Sequence, residues 1–182
     1  MKTRLPNKEN RRAGMTLVEI MVAMGVGSLV LVVIALLMVY TARSFIALGN
    51  YNDLDQGSRN ALDVMSRDIR QTRALKSFSS TATSAQLIFR DKDGADLTYD
   101  WDSTGRNLVR TKGGQKTVLL EQCDRLRFGI SQRNPSNSFN FYPASGPATT
   151  KLVDISWTCS RQILQQKVNT ESVQTAKIVI RN

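Results

Sequence analysis

Few residues of this chain could do chemistry, and those few are restrictive. Its 182 residues include no histidine, which removes the commonest general base, the commonest metal ligand and every imidazole-based triad. Two cysteines, Cys123 and Cys159, are too few for a four-thiolate zinc site and the right number for one bridge. Asp91, Asp93, Asp96 and Asp102 invite a cation reading, but Gly94 comes too early for EF-hand spacing and no glutamate closes the loop. A solvated Asp-Gly hairpin turn is the expected role. Arg106, Arg110, Arg125, Arg127 and Arg133 could form a nucleic-acid patch, yet strands facing water routinely alternate with charge, so nucleic acid is not an expected partner. No acid–base cluster emerges, and neither enzymatic activity nor a metal or cofactor is expected. What remains is one carboxylate, Glu19, standing at the entrance of a long apolar run. A carboxylate there is expensive and calls for a named partner.

The element that positions Glu19 is legible. Residues 20–42 carry no charge, and as a helix they would extend roughly 34 Å, enough to cross a hydrocarbon core of about 30 Å. The net charge is +10, from 25 basic and 15 acidic residues. Lys2, Arg4, Lys8, Arg11 and Arg12 against Glu9 give residues 1–14 a charge of +4, leaving +6 for the rest. Positive-inside reasoning puts this basic leader in the cytoplasm and the bulk of the chain outside. A cleavable secretory signal would have an apolar core of about 7–15 residues, and this run is longer. A plain signal anchor fits the length but gives Glu19 no task.

Gly14, Met15, Thr16, Leu17, Val18 and Glu19, after a short basic leader and before an apolar helix, resemble the processing site of the type IV prepilin family, which includes the type II secretion pseudopilins. The resemblance implies cleavage by a membrane aspartic peptidase at Gly14–Met15 and methylation of Met15 as the new first residue. A residue without a side chain at Gly14 lets the backbone sit deep in a peptidase cleft. The family most often has phenylalanine where this chain has Met15, an apolar substitute of similar reach. The resemblance also implies a partner for Glu19: the terminal ammonium of a neighbouring subunit, with Thr16 beside it. Such pairing neutralises two charges in a low-dielectric site and fixes one axial offset between helices.

Past residue 42 no Pro- or Gly-rich linker intervenes, so the helix is expected to continue to residue 76. Tyr51, Leu54, Ser58, Ala61, Leu62, Met65, Ile69 and Thr72 form one face at helical spacing, with Arg59, Asp63, Arg67 and Arg70 opposite. Asp63 stands four residues from both Arg59 and Arg67, pairs worth only tenths of a kcal/mol. Short runs at 86–90, 97–101, 107–111, 117–121, 126–130, 151–158 and 177–180 have strand character. Asp93-Gly94, Thr104-Gly105 and Gly113-Gly114 separate several of them as turns. The expected fold is therefore α+β: a long N-terminal helix whose outer half packs on an antiparallel β-sheet. The divisions are a leader at 1–14, a transmembrane assembly helix at 15–42, its extramembrane part at 43–76 and a sheet domain at 77–182.

Within the family, residues 56–72 look like the corresponding helix of W-type minor pilins and of the pseudopilin called J. The proline many major pilins carry in the membrane segment is absent. This resemblance covers about residues 11–73; beyond it, only the fold is similar. Cys123 and Cys159 lie 36 residues apart and suit one bridge in an oxidising compartment, worth roughly 3–4 kcal/mol, or two buried free thiols. Residues 134–150, with Phe139, Phe141 and Tyr142 among prolines, suit a binding loop or a short strand packed inward.

The function the resemblance implies is a non-enzymatic structural subunit, a minor pilin or pseudopilin of a type IV pilus or type II secretion pseudopilus. Its expected partners are other pilins or pseudopilins, the prepilin peptidase and methyltransferase, and the inner-membrane assembly platform. Its expected location is the bacterial inner membrane, single-pass with a periplasmic C-terminal domain, with entry into an extracellular pilus. The alternatives are a signal-anchored periplasmic binding protein or enzyme, and a DNA-uptake pilin.

Overall fold

The computed structural model describes residues 15–134, 136, 140–161 and 171–180. One helix, α1, runs from Leu17 to Gln71. The chain divides at Ser44 into two compact units. In the first, every described side chain is exposed from Met15 to Ser44, the condition of a helix whose solvent is to be something other than water. The hydroxyls of Ser28, Thr41 and Ser44 donate to the carbonyls of Gly25, Leu37 and Tyr40 of the same helix. Each is thereby satisfied without help from water.

The second unit holds the core. α1 contributes Leu54, Ser58, Ala61, Met65 and Ile69, all buried, with Leu62 packed at the rim and Thr72 buried just past its end. The helical stripe read from spacing is therefore the buried face, except that Tyr51 is exposed. Asp68 joins that face, an acid that the apolar pattern does not include. On the polar face Arg59 pairs with Asp55 at 2.8 Å rather than with Asp63.

The helix stops five residues short of the expected end at 76. Thr72 turns its hydroxyl onto the Ile69 carbonyl (2.8 Å), and Arg73 donates its N–H to the Arg90 carbonyl at 2.9 Å. Strand pairing takes over the backbone there, giving β1 (Ala74–Ser80), a strand outside all the runs with strand character. After it come β2 (Ser84–Arg90), β3 (Asp96–Asp102), β4 (Asn107–Lys112), β5 (Gln115–Leu120), β6 (Cys123–Arg133), β7 (Phe141–Pro143), β8 (Leu152–Ser160) and β9 (Glu171–Val179). All pairings are antiparallel. They form two sheets, a meander β1-β2-β3-β4-β5 and a second of order β7-β6-β8-β9.

The expected turns fall between strands. Gly113 and Gly114, at φ of 56° and 79°, make the β4–β5 hairpin in the left-handed region that glycine enters freely. Both sheets send large side chains to one core, chiefly Phe89, Tyr99, Trp101, Leu126, Ile155 and Trp157. Trp101 donates its indole N–H to the Cys123 carbonyl (3.1 Å), and Trp157 donates to the Ser58 hydroxyl (3.2 Å). Those bonds let two polar ring atoms be buried without an orphaned donor.

Candidate functional site

The first helical turn is built by residue type. Thr16 precedes the helix, and its carbonyl accepts the first helical bond from Ile20 at 3.2 Å. Its backbone N–H donates to Glu19 Oε2 at 2.9 Å, and its hydroxyl reaches the same oxygen at 3.2 Å. The Glu19 N–H donates back to Thr16 Oγ1 at 3.3 Å. This is the reciprocal capping box of a threonine followed three residues later by glutamate, and it satisfies two of the free donors at the helix start. Met15, immediately before, is 75% exposed. Thr16 and Glu19 are thus brought together, with Met15 one residue upstream. Gly14 and the leader at 1–14 lie outside the described residues.

The arrangement gives Glu19 a defined ground state. Its carboxylate is folded onto its own chain, against the positive end of the helix dipole, where an anion is favoured. One oxygen, Oε2, takes both Thr16 bonds, so the other keeps lone pairs for a cation. An ammonium offered there meets a carboxylate already oriented.

Cys123 and Cys159 are direct cross-strand partners of β6 and β8, both buried, and both are free thiols. The Cys123 thiol bonds Cys159 and also lies 3.3 Å from the Arg125 carbonyl. Its hydrogen bond with Cys159, together with burial, pushes its pKa well above the ordinary thiol value.

The four aspartates do not converge. Asp91 is buried and paired with Lys112 at 3.1 Å, which corrects its expected solvated role. Asp96 pairs with Lys76 at 2.7 Å, Asp102 accepts the Gly105 N–H at 3.2 Å, and Asp93 is exposed. Among the described residues no group of three or more metal-ligating side chains gathers.

Sequence reasoning misses a buried charge network in the second unit. Asp68 accepts from Arg110 Nε at 2.6 Å and from the Tyr99 hydroxyl at 3.0 Å, and Lys112 stands 3.5 Å from its other oxygen. Two acids, Asp68 and Asp91, thus face two bases, Arg110 and Lys112. Burial, then the Asp68 charge and hydrogen bond, push the Tyr99 hydroxyl far up. The Asp68 hydrogen bond likewise raises Arg110, and the Asp91 hydrogen bond raises Lys112. Burial alone would raise the Asp91 carboxyl, but bonds from Lys112 and the Lys92 N–H hold it below the ordinary value. An acid at helical spacing beside Ile69 is the only signal in the sequence, and its partners lie 31 and 42 residues away.

The five arginines separate as well. Arg110 is taken by Asp68, and Arg106 by Asp124 and the Ser160 carbonyl. Arg125, Arg127 and Arg133 stay exposed on β6. In the stretch 134–150, Phe141–Pro143 does form a short strand, but Phe141 and Tyr142 remain exposed rather than packed inward. Phe139 lies outside the described residues.

Residues 10–35 match the family described as the prokaryotic N-terminal methylation motif. Neither the curated proteins nor the solved structures include a match to this chain. The motif and, among the described residues, one helix long and apolar enough to cross a membrane support a membrane-anchored, type IV pilin-like protein. They point to a structural subunit rather than an enzyme.

Proposed function

We propose that this chain is a minor pilin or pseudopilin, inserted as a precursor, cleaved between Gly14 and Met15, methylated at Met15, and assembled through α1 into a type IV pilus or type II secretion pseudopilus. Its N-terminus is cytoplasmic in the precursor and its sheet domain periplasmic. Glu19 selects the axial register by pairing with the freed ammonium of a neighbouring pilin-like subunit. The observation that carries this reading is the methylation motif at residues 10–35 with Glu19 at the mouth of the uncharged apolar stretch 20–42 of α1.

Glu19→Val separates assembly from anchoring. Removing one member of a buried ion pair typically costs about 3–5 kcal/mol, enough to cut incorporation by two or more orders of magnitude. Insertion does not suffer, because the helix becomes more apolar. The variant should be inserted and processed yet fail to co-purify with pilin-like partners. A Glu19→Val protein that assembles normally would reduce the helix to a tether.

A further inference from the structure

We propose that Cys123 and Cys159 hold one soft monovalent metal ion, Cu(I), between their two sulfurs. The two residues are direct partners across β6 and β8, 0% and 1% exposed, and both are free thiols. Direct cross-strand partners carry their Cβ atoms about 4.5–5.5 Å apart, a span that two sulfurs sharing one central ion can bridge. Thiolates select Cu(I), Zn(II) and iron–sulfur clusters. Zinc and the clusters take four ligands, and among the described residues no third cysteine or carboxylate joins this pair. Cu(I), a filled-shell ion that two thiolates satisfy in a line, is the member of that group whose coordination this donor set completes.

The surroundings prepare the sulfurs for a cation. The hydrogen bond from Cys123 holds the Cys159 thiol below its ordinary value against burial, and Ser58 and the Arg106 charge add to it. Trp157 donates its indole N–H to the Ser58 oxygen at 3.2 Å, which leaves the Ser58 hydroxyl hydrogen for the Cys159 sulfur. Binding exchanges two S–H bonds for two S–Cu bonds. Two protons leave to water, no electron moves, and the complex carries one negative charge. Arg106, shared with Asp124 and bonded to the Ser160 carbonyl at 3.1 Å, is the cation beside it.

An ion also has a way in. Cys159 lines a cleft of about 210 Å³ whose walls include Leu54 and Gly57 of α1 and Leu120 of β5. A Cβ at Gly57 would meet nothing within 4 Å, so the helix leaves its side of the cleft open. The charged residues of the lining are Asp53, Glu121 and Arg161, with Arg161 at 3.1 Å from Asp53. Two acids against one base favour a cation over an anion at this entrance.

The test is an anaerobic titration of the full chain in non-ionic detergent, with Cu(I) supplied as its bicinchoninate complex under ascorbate. One Cu(I) per chain should transfer, and X-ray absorption should count two sulfur neighbours. Wild-type protein first bridged by a disulfide donor, with its tryptophan fluorescence still that of the folded chain, should take up none. Cys123→Ser and Cys159→Ser should each lower affinity by more than about a hundredfold, and Ser58→Ala, which keeps both sulfurs, by about tenfold. Met21→Leu with Met24→Leu, in the membrane segment, should change nothing. Copper uptake that survives bridging overturns the proposal, as does uptake lost with the two methionines, which would put the ion on thioethers. Three or more ligands around the copper, or Zn(II) competing as well as Cu(I), also overturns it.

Discussion

Asp68 of α1 and Arg110 of β4 meet at 2.6 Å across 42 residues of chain, and this pair fastens the helix to the meander sheet by charge rather than by apolar contact alone. Tyr99 and Lys112 close around the same carboxylate. A buried ion pair is weak evidence of net stability, but removing one member leaves the other to bear its full desolvation penalty. Asp68→Ala should therefore destabilise the second unit by about 3 kcal/mol or more, measured by denaturant unfolding followed through Trp101 and Trp157. The double variant Asp68→Leu with Arg110→Met should recover much of the loss. A single variant within about 1 kcal/mol of wild type would show the network to be idle.

Asp91 gives that network a pH dependence. Its carboxyl is held below the ordinary value in the folded protein. Such a group contributes stability in full above its unfolded pKa of about 4 and loses it as pH falls through the lower folded value. Stability should thus decline below about pH 4, and Asp91→Asn should flatten that decline. An acid titration of the two proteins by tryptophan fluorescence checks this, with identical curves as the contrary result.

Processing makes a covalent prediction. Intact mass of protein isolated from membranes should correspond to a chain starting at Met15 and carrying one added methyl group. A Gly14→Ala or bulkier variant should accumulate at precursor length. Mature protein beginning elsewhere, such as after Ala42, would restore the secretory reading.

Cys123 and Cys159 face each other across β6 and β8 as buried thiols. Exchange with an added disulfide donor should bridge them, passing two electrons to the donor. Alkylation without reductant should then label neither, even after denaturation, and reductant should lower stability by roughly 3–4 kcal/mol in the chain-entropy account. Labelling of both would establish that they stay reduced in the folded protein.

Thr16→Val tests the capping box independently of the ion pair. It removes the side-chain half of the box but keeps the backbone N–H to Glu19, so the first turn should fray by about 1 kcal/mol while register selection survives. Partner co-purification should fall only severalfold, far less than for Glu19→Val. Equal losses in the two variants would make Thr16 as essential as the carboxylate.

The helix and its stripe are legible in the sequence because periodicity is local. Leu54, Ser58, Ala61, Met65 and Ile69 announce a face by spacing alone, and all five are buried against the core. The helix end is not legible, since Thr72 closes back on the Ile69 carbonyl and Arg73 leaves for a pairing with Arg90 that lies farther along the chain. Most strands can be placed within a few residues through their turns. That they divide into two sheets depends on β6 pairing with β8 rather than with β5, a non-local choice. The same limit hides Asp68, whose burial makes sense only once Tyr99 and Arg110 arrive beside it. The Thr16–Glu19 motif is readable because its partners are three residues apart.

The bond from Trp157 to Ser58 joins positions 99 residues apart in the chain. Synthesis at about 5–20 residues per second places roughly 5–20 s between the two. Throughout that interval the stripe of α1 lacks the cover that β8 brings, while residues 20–42 are already made. The order of manufacture therefore gives a nascent chain its anchor well before its core, and a transiently bare apolar helix is a client for holdases and a target for proteases. Any lesion that slows synthesis between β1 and β8 should lower the amount of this protein more than its final stability would suggest.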